Sequence, residues 1–179
     1  MFLPIATAIR LVIDAPQSMA QPSQLILGES SRTLDERFRL TIPTELLEPL
    51  IADGERCILA KERPGCLSLW NATAWQEKLD AGVELVTSKI KAGRLEGRIE
   101  QVQLLGRLLS TRHREVQIGN RGRLLIPEGF REFLNLEPGG DALIVGAAVC
   151  VEIWNREAWL PYLDEQIPEF RQLLDDLSG

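Results

Sequence analysis

Histidine is nearly absent from this chain: His113 is the only one in 179 residues. Serine–histidine or cysteine–histidine catalysis and imidazole zinc sites would all hang on that one ring, which Arg112 and Arg114 flank. Cysteine is scarce as well. Cys57, Cys66 and Cys150 include no close pair, which excludes a disulfide framework or a four-cysteine zinc site and fits a reducing compartment. No phosphate-cradling glycine loop and no paired acid and base stand out, so the chain reads as a non-enzyme without cofactor, metal or small-molecule substrate. No run approaches the roughly 20 apolar residues of a membrane-spanning helix, so no membrane partner is expected. The apolar start is broken by Pro4, Arg10 and Asp14 and has no basic region ahead of it, which fits a signal peptide poorly. Residues 1–24 read instead as a flexible extension, with Pro16, Gln17, Ser18, Gln21, Pro22 and Ser23 as loop formers.

An excess of basic charge is also missing, since the net charge is −6. That sum hides a segregation. Lys89 to Arg131 holds ten basic and four acidic residues, so this stretch is +6 and the rest of the chain −12. Arg112, Arg114, Arg121 and Arg123 form its densest part, nearly free of acid, which suits a polyanionic partner better than a mixed solvated surface does.

What the chain does have is an internal repeat. Leu34 to Asp80 lies on Ile118 to Asp164 at a constant shift of 84 residues, without a gap. Identical pairs include Arg37/Arg121, Arg39/Arg123, Ile42/Ile126, Pro43/Pro127, Cys66/Cys150, Trp70/Trp154, Asn71/Asn155 and Trp75/Trp159. A unit this small cannot bury its own apolar face and must pack on its copy.

Each copy reads alike. A turn, Asp35–Arg39 or Gly119–Arg123, feeds a short strand, Leu40 to Ile42 or Leu124 to Ile126. Pro43 and Pro127 then stand at the first position of a short helix, where a missing N–H costs nothing. Two strands follow, Cys57 to Ala60 with Cys66 to Trp70, or Ala142 to Val145 with Val149 to Trp154. Pro64-Gly65 and Gly146-Ala147 are the expected turns between them. Asn71 and Asn155 are placed to cap helices carrying Trp75 and Trp159, and the four tryptophans read as core rather than as stacking platforms. Cys66 and Cys150 read as small core residues. Val83 to Thr111 reads as a helix with Leu95, Ile99, Val102, Leu105 and Leu109 on one face, and Asp164 to Leu177 as an acidic helix interrupted near Pro168.

The segments Leu34-Asp-Glu-Arg-Phe-Arg-Leu-Thr-Ile-Pro43 and Ile118-Gly-Asn-Arg-Gly-Arg-Leu-Leu-Ile-Pro127 resemble the twofold signature of the MraZ family. These are bacterial transcription regulators related to AbrB and antitoxin-type DNA-binding domains. Their signature is an aspartate, three residues and an arginine, then an apolar strand end and proline. Leu27-Gly28-Glu29, Gly65-Cys-Leu-Ser-Leu-Trp70 and Val151-Glu-Ile-Trp154 extend the likeness from residue 27 to about 163.

The resemblance implies an α+β fold in which two tandem pseudo-repeats form a swapped-hairpin β-barrel within one chain, with helices outside. It divides the chain into an extension (1–24), a first SpoVT-AbrB-like half (25–88), a connecting helix (89–111), a second half (112–163) and an acidic closing helix (164–179). It further implies a cytoplasmic, nucleoid-associated ring of identical subunits. Such a ring binds short direct repeats of double-stranded DNA upstream of division and cell wall genes. Arg37, Arg39, Arg121 and Arg123 would make the DNA contacts, Arg32, Arg112 and Arg114 would add nonspecific attraction, and Asp35 would orient its arginine. Arginine suits this, because its planar fork matches both phosphate and the O6/N7 edge of guanine. Both copies depart from the signature. Phe38 stands where the family has glycine, and Gly119 where it has aspartate. A ring that keeps the fold but has turned to protein partners is therefore the alternative.

Overall fold

The computed structural model describes residues 24–93 and 97–178, so residues 1–23 of the expected extension lie outside the described part. The elements in chain order are β1 (Ile26–Thr33), β2 (Arg39–Thr41), α1 (Thr44–Ile51), β3 (Cys57–Arg63), β4 (Cys66–Asn71) and α2 (Ala72–Lys91). The second half follows as α3 (Ile99–Thr111), β5 (His113–Val116), β6 (Ile118–Gly119), β7 (Arg123–Leu125), α4 (Glu128–Leu134), β8 (Asp141–Ala148), β9 (Val151–Asn155) and α5 (Arg156–Ser178). A six-stranded sheet runs β1-β8-β9-β4-β3-β5, a three-stranded one runs β2-β7-β6, and every pairing is antiparallel. The chain is thus a mixed helix-and-sheet protein, as the sequence leads one to expect.

The repeat dictates the order. Each half builds its own hairpin, β3–β4 or β8–β9, but the strand leading into each half pairs with the hairpin of the other: β1 on β8, β5 on β3. The hairpins join through β4 and β9, where Ser68 faces Glu152. The small sheet joins the halves again, with Leu40 opposite its repeat partner Leu124. Between the sheets lies one shared core that includes Leu40, Leu124, Ile42, Ile126, Leu46, Phe130, Leu59 and Ile144. Neither half could close this core alone, since its apolar faces meet across the repeat.

Local chemistry fixes the element ends. Asn71 Oδ1 accepts the N–H of Thr73 at 2.9 Å and Asn155 Oδ1 that of Glu157 at 2.9 Å, which are the two helix caps read from the sequence. Pro43 and Pro127 occupy the capping positions themselves, one residue ahead of the helical place expected.

The structure departs from the sequence pattern at three places. The segment 83–111 is not one helix, because α2 ends at Lys91 and α3 starts at Ile99, with Gly93 and Gly97 at φ 67° and 74° between them; Leu95 of the expected apolar face lies outside the described residues. Pro168 does not interrupt the last helix, which runs unbroken from Arg156. That helix is exposed, so water can satisfy the Asp164 carbonyl, for which Pro168 has no N–H to donate. Gly146-Ala147 is not the turn of its hairpin, since both lie inside β8 and the chain reverses at Val149–Cys150 after Ala148 at φ 63°.

Trp70 of β4 and Trp154 of β9 lie on the outer face of the six-stranded sheet, where α2 and α5 bring Trp75 and Trp159 against them. Trp70, Trp75 and Trp154 are buried, and Trp159 packs against Trp154 with ring centroids 5.1 Å apart. Cys57, Cys66 and Cys150 are buried; burial pushes the Cys57 thiol up to about 11 and the other two higher, so all three are inert core residues. Between the tryptophans lies a small polar group. Trp70 donates to Ser68 (2.9 Å), Ser68 to Glu62 (3.1 Å) and Trp154 to Glu152 (2.8 Å). Burial raises the pKa of Glu152 above 4.5, the Glu62 charge raises it further, and the Trp154 bond opposes both. An acid whose pKa is higher folded than unfolded loses stability as pH climbs from 4.5 through its folded value. Glu152→Gln keeps an acceptor for Trp154 and sheds the charge. It should raise the thermal midpoint at pH 7 by roughly 2–4 °C, with the gain shrinking in a pH series of melts as pH falls through the raised pKa of Glu152 toward 4.5.

Candidate nucleic-acid interface

The two arginine motifs meet on the three-stranded sheet. In β2 and β7, alternation sends Leu40 and Leu124 into the core and turns Arg39, Thr41, Arg123 and Leu125 outward. Arg39 stands opposite Leu125, and Thr41 opposite Arg123. The two arginines are therefore diagonal neighbours on one outer face, about 8 Å apart by sheet geometry. The turns bearing Arg37 and Arg121 lead into opposite ends of this ribbon, because the strands are antiparallel. One backbone device anchors both turns. Ile126 donates its N–H to Phe38 O at 2.9 Å, and its repeat partner Ile42 donates to Gly122 O at 2.8 Å.

The first turn is internally fixed. Asp35 Oδ1 accepts the backbone N–H groups of Arg37 and Arg39, both at 2.9 Å, while Oδ2 accepts Arg39 Nε at 2.8 Å and pairs with its Nη2 at 2.8 Å. The Arg39 backbone N–H bond is foremost in holding the Asp35 carboxyl below the usual 3.8, so it is ionised at neutral pH. Phe38 adopts φ 58°, a left-handed conformation that costs a non-glycine residue free energy. The Arg131 guanidinium sits 3.9 Å above the Phe38 ring and also donates to Ile126 O at 2.8 Å, which covers the ring and ties α4 to the turn.

The second turn is built differently. Arg121 at φ 61° and Gly122 at φ 74° carry the chain round, and a Cβ at Gly122 would collide with the Ile42 carbonyl. Gly119 leaves Arg123 without the carboxylate that Arg39 has. Among the described residues, the guanidinium groups of Arg37, Arg114, Arg121 and Arg123 are exposed and make no hydrogen bond or ion pair. The positions that break the repeat also match one another across the halves. Leu47 packs beside Gly122, and its repeat partner Arg131 packs on Phe38. Arg131 was not singled out by the motif; its mismatch with Leu47 at the repeat position was the available signal.

Arg32, Arg112 and Arg114 lie on or beside the six-stranded sheet. Arg32 folds back on its own strand, bonding Ser31 O at 2.8 Å. Arg112 donates to Lys61 O at 2.8 Å and pairs with Glu62 at 3.3 Å, so it clamps β5 to β3 rather than projecting freely. Arg114 is exposed on β5, an edge strand of that sheet. His113 packs against Trp75 with ring centroids 5.3 Å apart; burial and the Arg112 charge lower its pKa below 6.5, leaving a neutral packing ring at pH 7. Among the described residues, no group of three or more His, Cys, Asp or Glu is arranged to hold a metal, and no helix is long and apolar enough to cross a membrane.

Known proteins resemble the chain in the same region. Residues 110–176 match the family described as “MraZ protein, putative antitoxin-like”. A protein named transcriptional regulator MraZ from Heliobacterium modesticaldum is 30% identical over 156 residues, covering 86% of this chain and 96% of that protein. Proteins of the same name from Treponema denticola (29% over 151 residues, 84% and 96% covered) and Thermoanaerobacter sp. (28% over 157 residues, 86% and 99% covered) are similar over the same extent.

Proposed function

This chain belongs to the MraZ family, and from that we propose that it is a non-enzymatic, cytoplasmic transcription regulator that binds short direct repeats in double-stranded DNA. The observation that carries the reading is the shared outer face of β2 and β7, where each half supplies an arginine beside a turn bearing another. Long side chains on a rigid scaffold can meet one polyanion together, and phosphate supplies most of the affinity of such contacts. Arg114 adds attraction from β5; Arg32 and Arg112, already engaged, add only their charge. The exchange of β1 and β5 supports an interlocked barrel of two halves, 25–88 and 112–163, joined through 89–111 and closed by 164–179.

Ring assembly is part of the proposal. α3 and α5 bury none of their residues within the described chain, and Ile99, Leu160, Ile167, Phe170 and Leu177 are exposed. Exposed apolar side chains gathered on such helices favour burial against a partner, and identical subunits multiply weak contacts to repeated DNA. Titrating tandem-repeat duplex against increasing salt tests the reading. Each neutralised phosphate releases counterions, so affinity should fall by at least about a thousandfold between 50 and 200 mM salt for six or more contacts. Flat affinity, or no gel shift at micromolar protein, would leave the family fold serving as a protein-interaction ring.

A further inference from the structure

We infer that the two turns of one chain divide recognition, Arg39 in the first reading a guanine edge while Arg121 and Arg123 in the second grip phosphate. This rests on the DNA-binding reading above and assigns each half a different task. The chemistry lies in which edge of each guanidinium is free. Arg39 spends its Nε–Nη2 edge on Asp35 Oδ2. Its Nη1–Nη2 edge is left, and that is the fork that fits guanine O6 and N7. Asp35 is itself held by two backbone N–H groups, and Phe38 beneath Arg131 holds the turn they belong to. The fork therefore has one direction, which base readout needs and phosphate binding does not.

Across the ribbon nothing directs Arg123, because Gly119 supplies no carboxylate and the exposed side chain has no partner among the described residues. Charge separates the turns further. Asp35 and Glu36 lower the attraction of the first for phosphate, whereas residues 119–123 contain no acid. A loosely held cation in an acid-free turn suits a phosphate, which is satisfied by charge from many angles.

The test selects duplexes from a randomised pool with the full-length chain. It then compares a selected duplex with a scrambled one of the same composition for R39K and R123K, both checked by circular dichroism. Lysine keeps the charge and loses the fork. R39K should reduce the preference for the selected duplex by about tenfold, and R123K should weaken both duplexes alike by less than about threefold. Equal loss of preference in both variants would overturn the division of tasks and leave DNA binding intact. Binding without enrichment of any sequence would do the same, while no binding to any duplex would remove the regulator reading as well.

Discussion

A chain carrying Arg37→Glu, Arg121→Glu and Arg123→Glu together should lose more than about a thousandfold of its affinity for tandem-repeat DNA. Each substitution removes an attraction to phosphate and adds a repulsion, and the loss multiplies over every subunit that touches the duplex. The folded state should scarcely notice. All three side chains are exposed, and none has a hydrogen bond or ion pair among the described residues. Surface changes of this kind stay within about 0.5 kcal/mol. Fluorescence anisotropy at low salt, paired with a thermal melt, measures both effects. Affinity within tenfold of the unaltered chain would remove this face as the DNA-binding surface.

The second large effect concerns stability. Gly146→Ala should destabilise the fold by about 2–4 kcal/mol, a fall of roughly 5–15 °C in thermal midpoint. Gly146 lies opposite Gly28 where β1 pairs with β8. A Cβ there would stand 2.6 Å from Ile26 O and 2.9 Å from Leu27 Cα, so backbone rather than a side-chain tip must yield. β1 is the strand that the first half lends to the second, and Ile26 at its start is 1% exposed. Displacing it opens the shared core. A midpoint within 2 °C of the unaltered chain would show that β1 shifts without loss and that the close approach does not govern this edge.

Much of this was legible in the sequence. Apolar alternation and the 84-residue shift placed β2, β3, β4, β7 and β9, and the paired asparagines marked the starts of α2 and α5. β1 and β5 were not legible. Ile26–Thr33 and His113–Val116 are edge strands, half polar, and their pairing depends on hairpins far away in the chain. Gly146 misled for a related reason. Glycine next to a small residue suggests a turn, but here it serves a close backbone approach that only the opposing strand reveals. At the candidate interface, the pairing of Asp35 with Arg39 could be read from the motif. The engagement of Arg112 with Glu62, and the cover of Arg131 over Phe38, could not, since each joins residues far apart in sequence.

The sequence by itself determined that there are two copies of one unit and that each carries an arginine turn ahead of a buried strand. These are properties of residue type and spacing, which survive without coordinates. Tertiary structure alone decided which strand completes which hairpin, that Arg39 and Arg123 share a face, and that one is fixed while the other is not. Those depend on backbone pairing and on what lies within a few ångströms of a guanidinium, and long-range contacts leave little trace in local sequence.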